Sequence, residues 1–126
     1  MILGNGVDIV EIKRLRDAVR KYRDKFLNRI YTKRELEYSS KKKNPYQHLA
    51  ARFAAKEAVY KAFGEASSKN LVWTNIEIKN DKNGRPYVLL QNGAKELMRA
   101  RRVKQIIISI SHTKNYAVAS AILIGK

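Results

Sequence analysis

Residues 45–63 read as one helix that has to lie inside the molecule. Asn44 offers a capping side chain, Pro45 stands where its missing N–H costs nothing, and Gly64 supplies a left-handed stop. Between these signals, alanines at 50, 51, 54, 55, 58 and 62 let a neighbouring backbone come close, and Phe53 and Tyr60 add apolar bulk on more than one side. The same helix carries Glu57 and Lys61 one turn apart on one face, in the order that favours an ion pair. Charged groups on a helix buried this way face a cleft or a partner more often than those on a fully exposed one.

The remaining segments wrap around it. Residues 2–10 read as a buried strand in which Gly4 and Gly6 predict a bend or a close backbone approach. Ile12, Leu15, Val19, Tyr22 and Phe26 then recur at three- and four-residue steps, predicting one amphipathic helix. Thr32 and Glu35 have capping-box spacing, so a short helix follows Thr32. After a serine-rich loop at 65–70, Val72, Thr74, Ile76 and Ile78 alternate as a half-buried strand does. Asn83-Gly84 turns it into a hairpin with residues 87–91. A basic helix spans 92 to about 103, and residues 105–112 and 116–124 form a second hairpin about Thr113-Lys114-Asn115. The expected fold is α+β: a small single domain over 1–126, with a largely antiparallel sheet packed on a long helix.

The formal charge of +16 makes the surface an attractor of anions. Nucleic acid, acidic membranes, acidic proteins and phosphorylated metabolites all satisfy it. Without cysteine there is no disulfide framework, no thiolate nucleophile and no thiolate metal site. The N-terminus lacks the basic region of a signal peptide, and the apolar run 117–124 is too short to span a bilayer. The expectation is a soluble cytoplasmic protein without a membrane partner.

Four places carry chemistry. Asp8 interrupts the apolar run Val7-Asp8-Ile9-Val10, where an ionised carboxylate wants a cation or donors, unless it lies at a strand end facing water. Glu57 and Lys61 form either a solvated surface pair or part of a site. His112 ends the run Ile106 to Ser111, where a histidine is either hydrogen-bonded for structure or free to bind phosphate and move protons. Lys41-Lys42-Lys43 is either a solvated charge run or, lying just before a helix N-terminus, part of a position that favours anions.

Together these segments resemble the holo-acyl-carrier-protein synthase family of 4′-phosphopantetheinyl transferases. The matching blocks are Gly6-Val7-Asp8-Ile9-Val10-Glu11, Arg52-Phe53-Ala54-Ala55-Lys56-Glu57-Ala58 through Lys61-Ala62, and Ser109-Ile110-Ser111-His112-Thr113. Residues 30–35 and Asn83-Gly84-Arg85-Pro86 match two lesser blocks, with Arg85 where lysine is commoner. The resemblance implies transfer of 4′-phosphopantetheine from coenzyme A to a serine of apo-acyl carrier protein, releasing adenosine 3′,5′-bisphosphate. It implies Mg²⁺ held by Asp8 and Glu57, with Lys61 on the pyrophosphate. It places Arg52 and His112 near the 3′-phosphate and adenine end, with Lys43, Gly84 and Pro86 as further coenzyme A contacts. Family members are typically homotrimers with sites between subunits. The carboxylate number suits Mg²⁺, which commonly takes one or two carboxylates beside waters and substrate phosphates. Glu57 acting through a water on the ion is the favoured base for the incoming serine, with Asp8 the alternative.

Residues 13–43 hold thirteen Lys/Arg against four acids, over half of the net charge. Arg14, Lys21 and Lys25 fall opposite the apolar stripe, and the resemblance makes them docking residues for an acidic carrier protein. Two other classes of function compete. A nucleic-acid module would use the basic segment Met98 to Arg102, but the chain has no helix-turn-helix signature and no aromatic-rich stacking strand, so no nucleic-acid partner is expected. A non-catalytic basic docking protein would give Asp8 and Glu57 no role.

Overall fold

The structure is a computed structural model and describes residues 1–64 and 71–125. Among them the chain runs β1 (Ile2–Glu11), α1 (Ile12–Tyr22), α2 (Asp24–Ile30), α3 (Lys33–Ser40), α4 (Pro45–Phe63), β2 (Ile76–Asn80), β3 (Pro86–Leu90), α5 (Gly93–Ala100), β4 (Val103–His112) and β5 (Tyr116–Gly125). Strands β1, β5 and β4 form one antiparallel sheet in that order, and β2 and β3 form an antiparallel hairpin. The α+β expectation therefore holds.

Helix α4 is the axis of the fold. Its alanines are almost wholly buried, and it packs against both sheets and both α1 and α3. The small residues are there for β1. A side-chain carbon on Gly4 would overlap the Ala62 carbonyl, and one on Gly6 would overlap that of Ala58. Glycine on the strand and alanine on the helix thus bring two backbones into contact. Along β5, Ala117, Ala119, Ala121 and Leu123 point to this core while the residues between them do not.

Several boundaries differ from those read in the sequence. The helix expected over 12–26 is two helices. Arg23 takes φ +51°, the chain turns there, and α2 leaves in a new direction. Tyr22, read as part of the buried stripe, is exposed. The strand expected from Val72 begins only at Ile76, because residues 73–75 form a 3₁₀ turn and Val72 lies in solvent. The hairpin at Asn83-Gly84 is a five-residue loop organised by Asp81, whose Oδ1 accepts from the amides of Asn83 and Arg85. Gly84 has the positive φ (82°) that motif requires. Asn44 makes no side-chain cap to α4, although Pro45 does occupy its first turn. The basic helix is α5 and stops at Ala100, with Arg102 at positive φ. The capping box at Thr32 and Glu35 forms as expected. The loop expected at 65–70 lies outside the described residues.

Candidate active site

The alternation of β1 puts Gly4, Gly6 and Asp8 on its α4 side. Asp8 meets Lys61 there, with Nζ donating to Oδ1 at 2.9 Å and also to the Val7 carbonyl at 3.2 Å. Gly6 makes this possible, since a side chain on it would crowd the Lys61 Cβ as well as the helix backbone. Glu57, one turn before Lys61, joins Asp8 in a cavity of about 350 Å³ whose wall also includes Glu11, Arg14, Phe26 and Phe53. Burial raises the Glu57 carboxyl pKa above its ordinary range; the Asp8 charge raises it further, and Lys61 opposes both. Two carboxylates side by side in a cavity open to solvent, with the charge of Asp8 disfavouring ionisation of Glu57, make a place for a cation. Among the described residues no three His, Cys, Asp or Glu side chains come together, so a metal here would have this pair alone and take its other ligands from water and substrate. Mg²⁺ fits that donor set.

Lys56 lies next to Glu57 in sequence and points elsewhere. It is fully buried and ion-paired to Glu35 at 2.6 Å, and it donates to the carbonyls of Ile30 and Trp73. Glu35 also accepts from the amides of Thr32 and Ile78, and the Thr32 hydroxyl donates to buried Glu77. This network ties α3, α4 and β2 together. Burial lowers the Lys56 pKa, and Glu35 counteracts it.

Arg52 belongs to a third group. It is 4% exposed, its Nη2 donates to Asn80 at 2.8 Å, and its guanidinium carbon lies 4.1 Å from the centre of the Tyr38 ring. Lys42 reaches the same ring at 4.5 Å, His48 meets it edge-on, and the His48 and His112 rings are 6.4 Å apart. Asn80 donates onward to the Gly84 carbonyl and pairs with Pro86 across the hairpin. Arg52, His112, Gly84 and Pro86 are thus one neighbourhood, separate from the cavity of Asp8 and Glu57. Lys43 is exposed on the turn, where it is Lys42 that reaches the cluster.

Residues 4–121 match the family model described as the 4′-phosphopantetheinyl transferase superfamily. The chain is 46% identical over 122 residues to the holo-[acyl-carrier-protein] synthase of Protochlamydia amoebophila, covering 97% of this chain and 98% of that one. This chain belongs to the holo-acyl-carrier-protein synthase family. Its fold follows the crystal structure of the Neisseria meningitidis synthase at a TM-score of 0.92 and 31% identity, over 98% of this chain and 99% of that one. It also follows the Bacillus anthracis synthase solved in complex with CoA (3′,5′-ADP), at 0.82 and 34% identity over 100% and 99% of the two chains.

As a member of that family the chain is a phosphopantetheinyl transferase. Arg14 lies in the wall beside Asp8 and Glu57. Lys21 lies over the Tyr22 ring on α1, while Lys25 lies on α2 beyond the break, beside Tyr22, Phe26 and Arg29. Tyr38, His48, Asn80 and the Lys56 network were missed by sequence reasoning, while Lys42 was read only as part of the basic run 41–43. One signal was available: His48, Arg52 and Lys56 recur every four residues along an alanine-rich helix, a polar stripe that has to be satisfied within the fold.

Proposed function

We propose that the chain transfers 4′-phosphopantetheine from coenzyme A to a serine of apo-acyl carrier protein, releases adenosine 3′,5′-bisphosphate, and does so with Mg²⁺ held by Asp8 and Glu57. The observation that carries this reading is the cavity that gathers Asp8, Glu57 and Arg14, with Lys61 already paired to Asp8. A bound Mg²⁺ would offset charge on the pyrophosphate as its bridge breaks. Lys61, half exposed at the rim, is free to exchange its bond to Asp8 for one to the departing phosphate, where a preorganised ammonium acts mainly in the transition state. Glu57, raised in pKa, is the better of the two carboxylates for taking the serine proton. Phe26 and Phe53 in the wall keep part of the site dry.

The separate Arg52 group supports the assignment of Arg52, His112, Gly84 and Pro86 to the 3′-phosphate and adenine end, with Lys43 nearby on the turn. Arg14, Lys21 and Lys25 are the proposed docking residues for the acidic carrier. The outer face of the β1–β5–β4 sheet, opposite the side that carries Asp8, leaves Val7, Ile9, Ile107 and Tyr116 exposed, which supports a homotrimer with coenzyme A between copies. No helix among the described residues is long and apolar enough to cross a membrane.

The deciding experiment incubates the protein with coenzyme A, Mg²⁺ and an apo-carrier protein. The carrier is expected to gain the mass of one phosphopantetheine, and an unchanged carrier under all metal conditions would remove the reading. Light scattering tests assembly: a fully active monomer would overturn the trimer.

A further inference from the structure

The cluster around Tyr38 contains a group for which the family motifs give no reason. Arg52 and Lys42 both contact the Tyr38 ring, His48 meets its edge at 5.8 Å between centroids, and His112 stands next to His48. The groups facing His48 come from α3 (Tyr38), the following turn (Lys42), α4 (Arg52) and the end of β4 (His112), and none of them is a carboxylate. The Arg52 Nε is buried without a hydrogen-bond partner among the described residues. Glu35 and Tyr38 act on the same guanidinium, and its Nε, left open near Lys42, His48 and His112, suits a ligand with several acceptor oxygens. Burial lowers the His48 pKa, and the charges of Arg52, Lys42 and His112 lower it further. In the free protein His48 is therefore neutral near neutral pH. A bound dianion reverses the local field and restores its affinity for a proton.

We propose that His48 is a proton-coupled selectivity residue: it takes up a proton from solvent when the 3′-phosphate of coenzyme A occupies the Arg52 end. This rests on the assignment of that end made above. Affinity gained through His48 is small where His48 stays neutral even with ligand bound. It grows as pH falls through the bound-state pKa, and levels off below the free-state pKa. The preference for coenzyme A over dephospho-coenzyme A accordingly rises as pH drops from about 8.5 toward about 6.5, a range in which the phosphate remains largely dianionic.

Isothermal calorimetry of the Mg²⁺-loaded protein with coenzyme A and with dephospho-coenzyme A, in two buffers of different ionisation enthalpy, counts the protons. The wild type is expected to take up more protons with coenzyme A than with dephospho-coenzyme A. His48→Phe keeps a ring against Tyr38, and His48→Gln keeps a polar group. Each should reduce that excess, and each should lose about tenfold of the selectivity at about pH 6.5 but little at about pH 8.5, the scale of one hydrogen bond to a charged group. Proton uptake and selectivity equal to wild type in either folded variant would overturn the role of His48 and leave the end assignment standing. A wild type that binds the two coenzymes equally would sink the assignment, and this proposal with it.

Discussion

Helix α4 carries two sets of one lysine and two carboxylates, and the sets diverge at adjacent residues. Lys56 with Glu35 and Glu77 is closed: its three residues are at most 2% exposed, and backbone groups together with the Thr32 and Gln91 side chains fill the remaining hydrogen bonds. Lys61 with Asp8 and Glu57 is open: half of the Lys61 side chain is in solvent, and the two carboxylates share a cavity. The chemistry of the groups is the same in both. What differs is whether the protein itself satisfies the charges. Lys56 faces the end of α2 and a 3₁₀ turn that supply carbonyls, whereas Lys61 faces an edge strand and then water. Charge satisfied inside the fold specifies structure, and charge left partly unsatisfied at the surface is available to a substrate.

The largest test of this contrast is removal of each lysine. Lys56→Met removes the cation paired with buried Glu35 and should cost about 3–5 kcal/mol of stability, read by urea unfolding. Lys61→Met, at a half-exposed pair, should change stability by less than about 1 kcal/mol. Equal losses in the two variants would erase the distinction. Activity should respond the other way. Lys61→Met, Asp8→Asn and Glu57→Gln are each expected to lower turnover by about 10²–10³-fold with the fold intact by circular dichroism. A carboxylate variant that keeps near-normal Mg²⁺-dependent turnover would remove that residue from the open set.

Gly6→Ala sharpens the comparison by touching only one set. The added methyl meets the Ala58 carbonyl and the base of Lys61, and should cost about 1–3 kcal/mol while displacing the ammonium from Asp8. Turnover should fall further than stability alone accounts for. If the folded fraction of Gly6→Ala is as active as wild type, the close approach serves packing only.

A smaller effect is expected away from the chemistry. Arg14 sits in the wall of the open cavity and Lys21 lies further along α1. Reversing Lys21 and Lys25 to glutamate, with Arg14 left in the cavity wall, should raise the carrier KM by roughly tenfold at low salt and flatten its salt dependence, leaving coenzyme A affinity little changed. A carrier KM that ignores both the reversal and salt would reduce this basic surface to a solubilising one.

The open set was the more legible of the two in the sequence. Asp8 stood out as a charge in an apolar strand, and Glu57 and Lys61 as a pair on an alanine-rich helix, because local spacing fixes which face each side chain takes. The closed set joins residues 32, 35, 56 and 77, and only the Thr32–Glu35 contact is local enough to read. The break at Arg23 was missed for a related reason. An arginine carries no strong turn signal, and the apolar period runs on through it, so tertiary packing decides its conformation. The late start of β2 has the same origin, since the alternation at Val72 and Thr74 continues past the point where Trp73 turns to stack on Phe53.

The smallest prediction concerns the cost of keeping the second set open. The Glu57 carboxyl is raised in the folded chain by burial and by Asp8, whereas in the unfolded chain it titrates at its ordinary value. Between those two values the folded state binds the extra proton, so this group's contribution to stability improves as pH falls. That is the reverse of a carboxylate stabilised by a partner. At neutral pH, without metal, ionised Glu57 therefore subtracts slightly from stability, by less than a buried group would because the site is open to solvent. In chelator-treated protein Glu57→Gln should be marginally more stable than wild type at about pH 7.5, with the gap closing toward about pH 5. Added Mg²⁺ should raise the wild-type melting temperature, since a ligand that binds only the folded state stabilises it, and should raise that of Glu57→Gln much less. The readout is the wild-type-minus-variant difference in melting temperature, in which groups that titrate alike in both proteins cancel. If that difference ignores both pH and Mg²⁺, the carboxylate pair is not the cation site, and the contrast between the closed and open sets loses its functional half.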